Sequence, residues 1–337
     1  MTDLTETWRQ IALEEHTGTG WVARRIYPDR PTRIQAAIRK PENALAILFE
    51  ISNRSLPSGA SLPDCIGFKL SVEVLRPGPG GNCRLCLTLK DQRYRDVFVA
   101  LSDDVAGTVS EAENEIAGVR LLLGRLNTWE RFLDRYGVNL MSPDEQVGLF
   151  SELKFLENEL LKILPAMDAV QSWRGPYRAP QDFMLGSMAV EIKTTTSRNQ
   201  TSFKVASLEQ LDTGSLSCLL IHHSVLSIDE TAGICLPDFI ADLREAIANT
   251  DPGAASQFDA SLIEAGYLEA HEEAYRERAF VVARKSWFEV RSGFPLLAPT
   301  TVPLGVVAAK YTISLAACAP FELDVEVSRD KLKAGLQ

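Results

Sequence analysis

Apolar positions before residue 138 come in short blocks, at 44–51, 67–75, 83–89 and 97–101. Pro/Gly breaks separate them, of which Arg76-Pro77-Gly78-Pro79-Gly80-Gly81 is the densest. Blocks of that length between turn signals read as strands. A longer helical pattern over 111–136 stops at Gly137, a residue suited to a C-cap. Residues 1–138 therefore read as a β-rich module closed by a helix. At Ser142 the pattern changes: Pro143, Asp144 and Glu145 follow it as a helix start does, and Leu149, Leu153, Leu156 and Leu160 form a stripe at helical spacing. Two short strands come next, joined by a hairpin turn at Leu185-Gly186-Ser187, with Asp182 opening the first and 187–194 forming the second. A polar loop at 194–204, a short helix at 206–211 and a buried strand at 216–223 complete a segment of 139–228. The remainder, 229–337, reads as helices at 240–248 and 259–275 and strands at 279–284 and 305–316, packed on that segment. The expected fold class is α/β of the α+β kind, with a mixed central sheet in 139–228.

One strand breaks its own pattern. In Ser187-Met188-Ala189-Val190-Glu191-Ile192-Lys193-Thr194, alternation places Met188, Val190 and Ile192 on an inward face and Glu191 and Lys193 together on the other. The hairpin brings Asp182 close to Glu191. Two carboxylates can hold a hard cation such as magnesium, which keeps open positions for water and phosphate oxygens, and a lysine beside that water can orient or help deprotonate it. That is the donor set that metal-dependent phosphodiester hydrolysis needs, and the Ile192 carbonyl, between the two charges, adds one more oxygen. Taken alone, Glu-x-Lys on a strand is more often a solvated ion pair. Upstream, Glu152 falls on the border of the helix stripe, whereas Glu157 and Glu159 point further towards solvent.

Asp182, then Glu191-Ile192-Lys193, resembles the motif of the PD-(D/E)XK nuclease superfamily. The helix, strand, strand, helix, strand order from Pro143 to His223 is similar to its αββαβ, restriction-endonuclease-like core. The resemblance implies that Glu152 joins Asp182, Glu191 and the Ile192 carbonyl as metal ligands. It also implies that Lys193 acts with Asp182, Glu191 and Glu152 in catalysis, that the ion is magnesium with manganese as a substitute, and that Gln210 or Ser207 of the second helix faces the site. "EQVGLFSELKFLENELL", "SWRGPYRAPQDFML" and "MAVEIKTT" resemble the bacterial DUF4420 family of PD-(D/E)XK proteins, as do looser stretches downstream. That likeness implies a place in restriction or antiviral defence clusters, with methyltransferase and ATPase partners. Gln181 stands where the superfamily motif has Pro, at a position that is not a ligand.

Composition limits this picture without removing it. A net charge of −10 argues against strong intrinsic DNA binding, which normally needs a basic face. Charge is uneven, however: Arg24, Arg25, Arg30, Arg33, Arg39 and Lys40 enclose only Asp29, and Arg174, Arg178, Lys193, Arg198 and Lys204 outnumber the acids around the motif. The expected partner is therefore nucleic acid, double-stranded DNA above all, with a partner subunit supplying affinity. Cutting both strands would favour a homodimer. Cys83-Arg84-Leu85-Cys86 has no second pair, His222-His223 reads as structural, and Asp238 reads as a helix-start acid. No segment has the apolar length of a membrane span or the signature of a signal peptide, so the cytoplasm is expected. The competing reading is a non-catalytic DNA-binding or assembly subunit that keeps the fold.

Overall fold

The computed structural model describes residues 3–14, 18–30, 32–57, 62–78, 80–137, 139–196, 201–229 and 231–336. They form two units, Met1–Leu140 with Leu268–Ala270, and Met141–Tyr267 with His271–Gln337. The architecture is mixed α+β.

The first unit starts with α1 (Leu4–Leu13), capped by Asp3, whose side chain accepts from the Glu6 N–H. Five antiparallel strands follow: β1 (Gly20–Ile26), β2 (Arg33–Lys40), β3 (Ala44–Ser52), β4 (Phe68–Val74) and β5 (Asn82–Leu89), in the order β1-β2-β3-β5-β4. Then come α2 (Arg95–Ser110) and α3 (Glu115–Tyr136). The strand expected at 97–101 is corrected to helix. Val97, Val99 and Leu101 alternate, but the positions that are buried are Val97, Phe98, Leu101, Val105 and Val109, a spacing of three and four. Gly137 ends α3 at φ +61°, with its N–H bonded to the Leu133 carbonyl. Trp21 on β1, at one edge of the sheet, donates through its indole N–H to Glu73 on β4, at the other edge, 3.2 Å away. Such a contact requires a strongly curled sheet.

The second unit opens with α4 (Pro143–Phe155), whose start carries a complete capping box between Ser142 and Glu145. The helix continues as one π-helical turn over Leu156–Leu160, and α5 (Ala166–Ser172) follows. That turn corrects the expectation for Glu159: it is buried, and Arg329 grips it with Nε at 2.9 Å and Nη2 at 3.3 Å. The hairpin is β6 (Phe183–Leu185) and β7 (Met188–Thr196), paired Phe183 to Val190 and Leu185 to Met188, with Gly186 at φ +61° in the turn. After β8 (Ser202–Val205), residues 206–211 form bends and turns where a helix was expected. The 216–223 strand is the first half of β9 (Cys218–Ile228), parallel to β7, so His222 and His223 lie mid-strand.

The chain continues through β10 (Ile234–Cys235), α6 (Leu236–Thr250), α7 (Pro252–Ala265), α8 (Glu272–Tyr275) and β11 (Ala279–Glu289). The single helix expected at 259–275 is broken at Gly266, φ +96°. β12 (Tyr311–Ser314), α9 (Leu315–Cys318), β13 (Glu322–Leu323) and α10 (Val325–Ala334) complete it, so only four residues of the strand expected at 305–316 are extended. Among the described residues the mixed sheet runs β10-β11-β9-β7-β6, with β13 paired to β11, and β12 pairs separately with β8.

Both faces of this sheet are covered. Met188, Val190 and Ile192 pack with Phe150, Leu153 and Phe155 on one side, while Ala189 packs with Leu219, Ile221, Phe203 and Ile313 on the other. Each fully buried aliphatic side chain contributes about 1.5–3 kcal/mol, enough for this row to fix the register of β7. Glu191 and Lys193 are therefore largely buried, at 1% and 8% exposed.

Candidate active site

The hairpin sets the local frame. β6 begins at Phe183, and Asp182, the residue before it, lies beside Ile192 of β7. The Asp182 carbonyl accepts the N–H groups of Arg174 (2.7 Å) and Gly175 (3.0 Å), and its carboxylate Oδ2 accepts the Ile192 N–H at 2.7 Å. A strand residue's N–H and C=O point to the same side, so the Ile192 carbonyl faces the edge that Asp182 occupies. Glu152, half-buried on α4, accepts the indole N–H of fully buried Trp173 at 2.7 Å. Gly175 lies between the two acids: a Cβ there would stand 2.9 Å from Glu152 Oε2 and 3.1 Å from Asp182 Oδ1. Glycine is thus the residue that lets these carboxylates come close to the chain.

Lys193 is held at two points. Its Nζ donates to Glu191 Oε1 at 2.7 Å and to Gln210 Oε1 at 3.0 Å. Gln210 is fixed in turn by the Ala206 N–H at 2.8 Å, and Gln181 Nε2 ties the same turn down through the Glu209 carbonyl at 2.9 Å. Gln210 thus reaches the site from a turn, without the expected helix. Among the described residues Ser207 makes no hydrogen bond to it. The second oxygen of Glu191, Oε2, is buried and has no donor. A buried carboxylate oxygen without a partner is costly.

The electrostatics follow from that burial. Desolvation, reinforced by Asp182, pushes Glu191 up to about 8. Desolvation and the charge of Asp182 raise Glu152 well above the usual carboxylate range, and desolvation also raises Asp182 against the pull of Lys193. Three acids that each resist ionisation, within reach of one another's charge, make a place where added positive charge is stabilised. The donors fit a hard divalent cation in chemistry: three carboxylates, one of which has an oxygen without a donor, and a strand carbonyl. They are not drawn together in advance, since among the described residues no group of three or more His, Cys, Asp or Glu side chains forms a ready metal cluster. Lys193 takes the place of a counter-ion for Glu191.

A cavity of about 310 Å³ opens here, lined by Glu152, Ile192 and Lys193, by Thr194, Thr195 and Thr196, and by Ser202 and Lys204. Lys204 thus reaches the cavity, whereas Arg198 lies outside the described residues. His223 meets Thr195 Oγ1 at 3.0 Å, and His222 stacks edge-on against Trp287 at 4.7 Å. Burial pushes the two histidines down to about 4 and about 3, so both are neutral at neutral pH. Asp238 sits in the first turn of α6, bonded to Arg276. Cys83 and Cys86 point to opposite faces of β5, as an odd spacing on a strand requires. Trp173 and Gly175 are the residues that sequence reasoning passed over as loop. The signal was an aromatic followed two positions later by glycine, just before the Asp182 strand.

The family profile described as "Putative PD-(D/E)XK family member (DUF4420)" matches residues 4–316. No curated protein and no solved structure gives a significant match. No helix among the described residues is long and apolar enough to cross a membrane. The chain belongs to the DUF4420 family.

Proposed function

We propose that this DUF4420 member is a divalent-metal-dependent endonuclease, using magnesium or manganese to hydrolyse double-stranded DNA in a cytoplasmic restriction or phage-defence setting. What carries the reading is the Glu191 carboxylate. One oxygen is held by Lys193, the other has no donor, Asp182 raises its pKa by charge on top of burial, and its own charge is felt at Glu152. Glu152, Asp182, Glu191 and the Ile192 carbonyl would hold the ion. When bound, it would neutralise phosphate charge and lower the pKa of a water.

The chain's own groups supply the rest. The Lys193 ammonium has three N–H donors, two of them engaged by Glu191 and Gln210. The third remains to orient a water or to steady charge developing on a phosphate oxygen. Trp173 holds Glu152 in one rotamer, and the Ile192 N–H holds Asp182. Thr196, Ser202 and Lys204 line the cavity on the side where a phosphate backbone would lie. Methyltransferase or ATPase partners would deliver the DNA, and a homodimer would present two sites to its two strands.

The test is cleavage of plasmid DNA with magnesium by wild type, Asp182→Ala and Lys193→Ala. Activity in wild type alone is expected; equal activity in all three would sink the assignment. A second reading, a non-catalytic DNA-binding or assembly subunit, is favoured by the pairing of Lys193 with Glu191, which leaves no ready cluster among the described residues. Calorimetric titration with manganese separates the two. An active site binds the ion and loses it in Glu191→Ala, whereas a scaffold binds none.

A further inference from the structure

The N-terminal sheet has two unlike faces. The paired register places Ile34, Ala36, Ile38, Ile47, Phe49 and Leu85 on one of them, all buried. The other carries Trp21, Arg25, Arg33, Arg39, Arg84 and Lys69, strand by strand. Its acids are Glu50 and Glu73. Five cations against two carboxylates leave a surplus of three positive charges, on a chain whose net charge is −10.

Four of these cations are available. Arg25, Arg33, Arg39 and Lys69 are exposed, and Arg39 stacks over the Trp21 ring at 5.4 Å with no carboxylate partner among the described residues. Arg33 reaches Glu50 only at 3.6 Å. Arg84 spends its terminal nitrogens on Glu50 and Glu73 but leaves a buried Nε without an acceptor. In the centre of the face Ala37 and Ala46 are small enough for Trp21 to lie across them, and Trp21 is held at its far end by Glu73. The aromatic ring is thus a fixed floor under Arg39.

We propose that this face is a binding surface for the phosphate backbone of nucleic acid, separate from the candidate active site. Four of its five cations are arginines, whose planar forks suit phosphate oxygens. An acidic protein partner would need an apolar anchor as well, and on this face Leu48 is fully buried while Trp21 is covered by Arg39. The surface gives the acidic chain a local basic region of its own. The inference deepens the nuclease reading by naming where DNA is held, but it predicts binding that does not require cleavage.

The test uses the full chain, a fluorescein-labelled DNA duplex and chelator, so that binding is read by anisotropy with cleavage silent. Arg25→Ala/Arg39→Ala/Lys69→Ala is expected to bind at least tenfold more weakly than wild type. The slope of log affinity against log salt should fall by about two to three units, at ~0.9 per lost phosphate contact. Arg120→Ala, an exposed cation on α3, should bind as wild type does. Unchanged affinity and slope in the triple variant, with its thermal unfolding intact, would overturn the proposal, as would displacement of the duplex by an equal charge of polyglutamate. Loss of cleavage in all proteins, with arginine-dependent binding preserved, would overturn the nuclease reading and leave this surface standing.

Discussion

The two sheets treat charge in opposite ways. On the N-terminal sheet Arg84, Glu50 and Glu73 form a ladder that still meets solvent, with side chains 18%, 18% and 48% exposed and their ion pairs partly screened. On the mixed sheet Glu191 and Lys193 sit beneath covering elements, beside Asp182 and Glu152, with all three acids pushed towards neutrality. A fold has no need of such a set, since replacing a buried pair by apolar groups of the same volume is often neutral or stabilising. Charge kept where it is expensive points to chemistry, while charge kept where it is cheap points to solubility or to a partner's surface.

The contrast can be broken by substitution. Lys193→Met should lower the plasmid-cleavage rate by at least about 100-fold, the scale of losing a positioned charge, with the protein still folded by circular dichroism. A rate within a few-fold of wild type would make Lys193 no more functional than Arg84.

pH should separate the sheets next. Glu191 binds its proton more tightly folded than unfolded, so the folded state carries more protons between about 4.5 and about 8. Its contribution to stability is full below the lower value and lost as pH rises through the upper, on the order of a few kcal/mol. His222 and His223 act in the opposite sense, with folded values of about 3 and about 4 against 6.5. Their contribution is full above 6.5 and lost as pH falls through the folded values. Denaturant titrations of the metal-free protein should show stability falling from pH 6.5 to 8, and Glu191→Gln should flatten that fall. A wild-type profile as flat as the variant's would remove the electrostatic argument.

Gly175→Ala should follow with about a tenfold loss of cleavage and a small shift in melting temperature. The added methyl meets the ends of two flexible side chains, so it displaces the carboxylates more than the fold. Equal loss of stability and activity would contradict that. Smallest of all, Arg33→Ala, whose exposed guanidinium reaches Glu50 only at 3.6 Å, should cost less than about 1 kcal/mol in urea unfolding.

Legibility from the chain alone tracked how local each feature is. The hairpin, its turn at Gly186 and the capping box at Ser142 are written in neighbouring residues and were readable. The β1–β2 pair was missed because arginines interrupt it and its buried positions, Ile26, Ile34, Ala36, Ala37 and Ile38, lose strict alternation at Ala36 and Ala37. The 97–101 strand was a helix because short apolar runs fit both periods. Of the site, Asp182, Glu191 and Lys193 were legible by spacing and Glu152 by its border position. Trp173, Gly175 and the turn that carries Gln210 depend on tertiary contacts that no local pattern encodes. Glu159 looked solvated because its partner Arg329 lies 170 positions away.

The parallel pairing of β7 with β9 has a kinetic side. Asp182 and Glu191 are joined by a two-residue hairpin turn, a closure completed in about 1–10 μs. β9 cannot dock until the chain has crossed over from Thr196 to Cys218, and parallel pairings of that kind form late. In the nascent hairpin the two carboxylates would still be hydrated and ionised. Their desolvation needs the whole sheet and its covering elements, so the property that distinguishes them belongs to the folded unit and not to the hairpin.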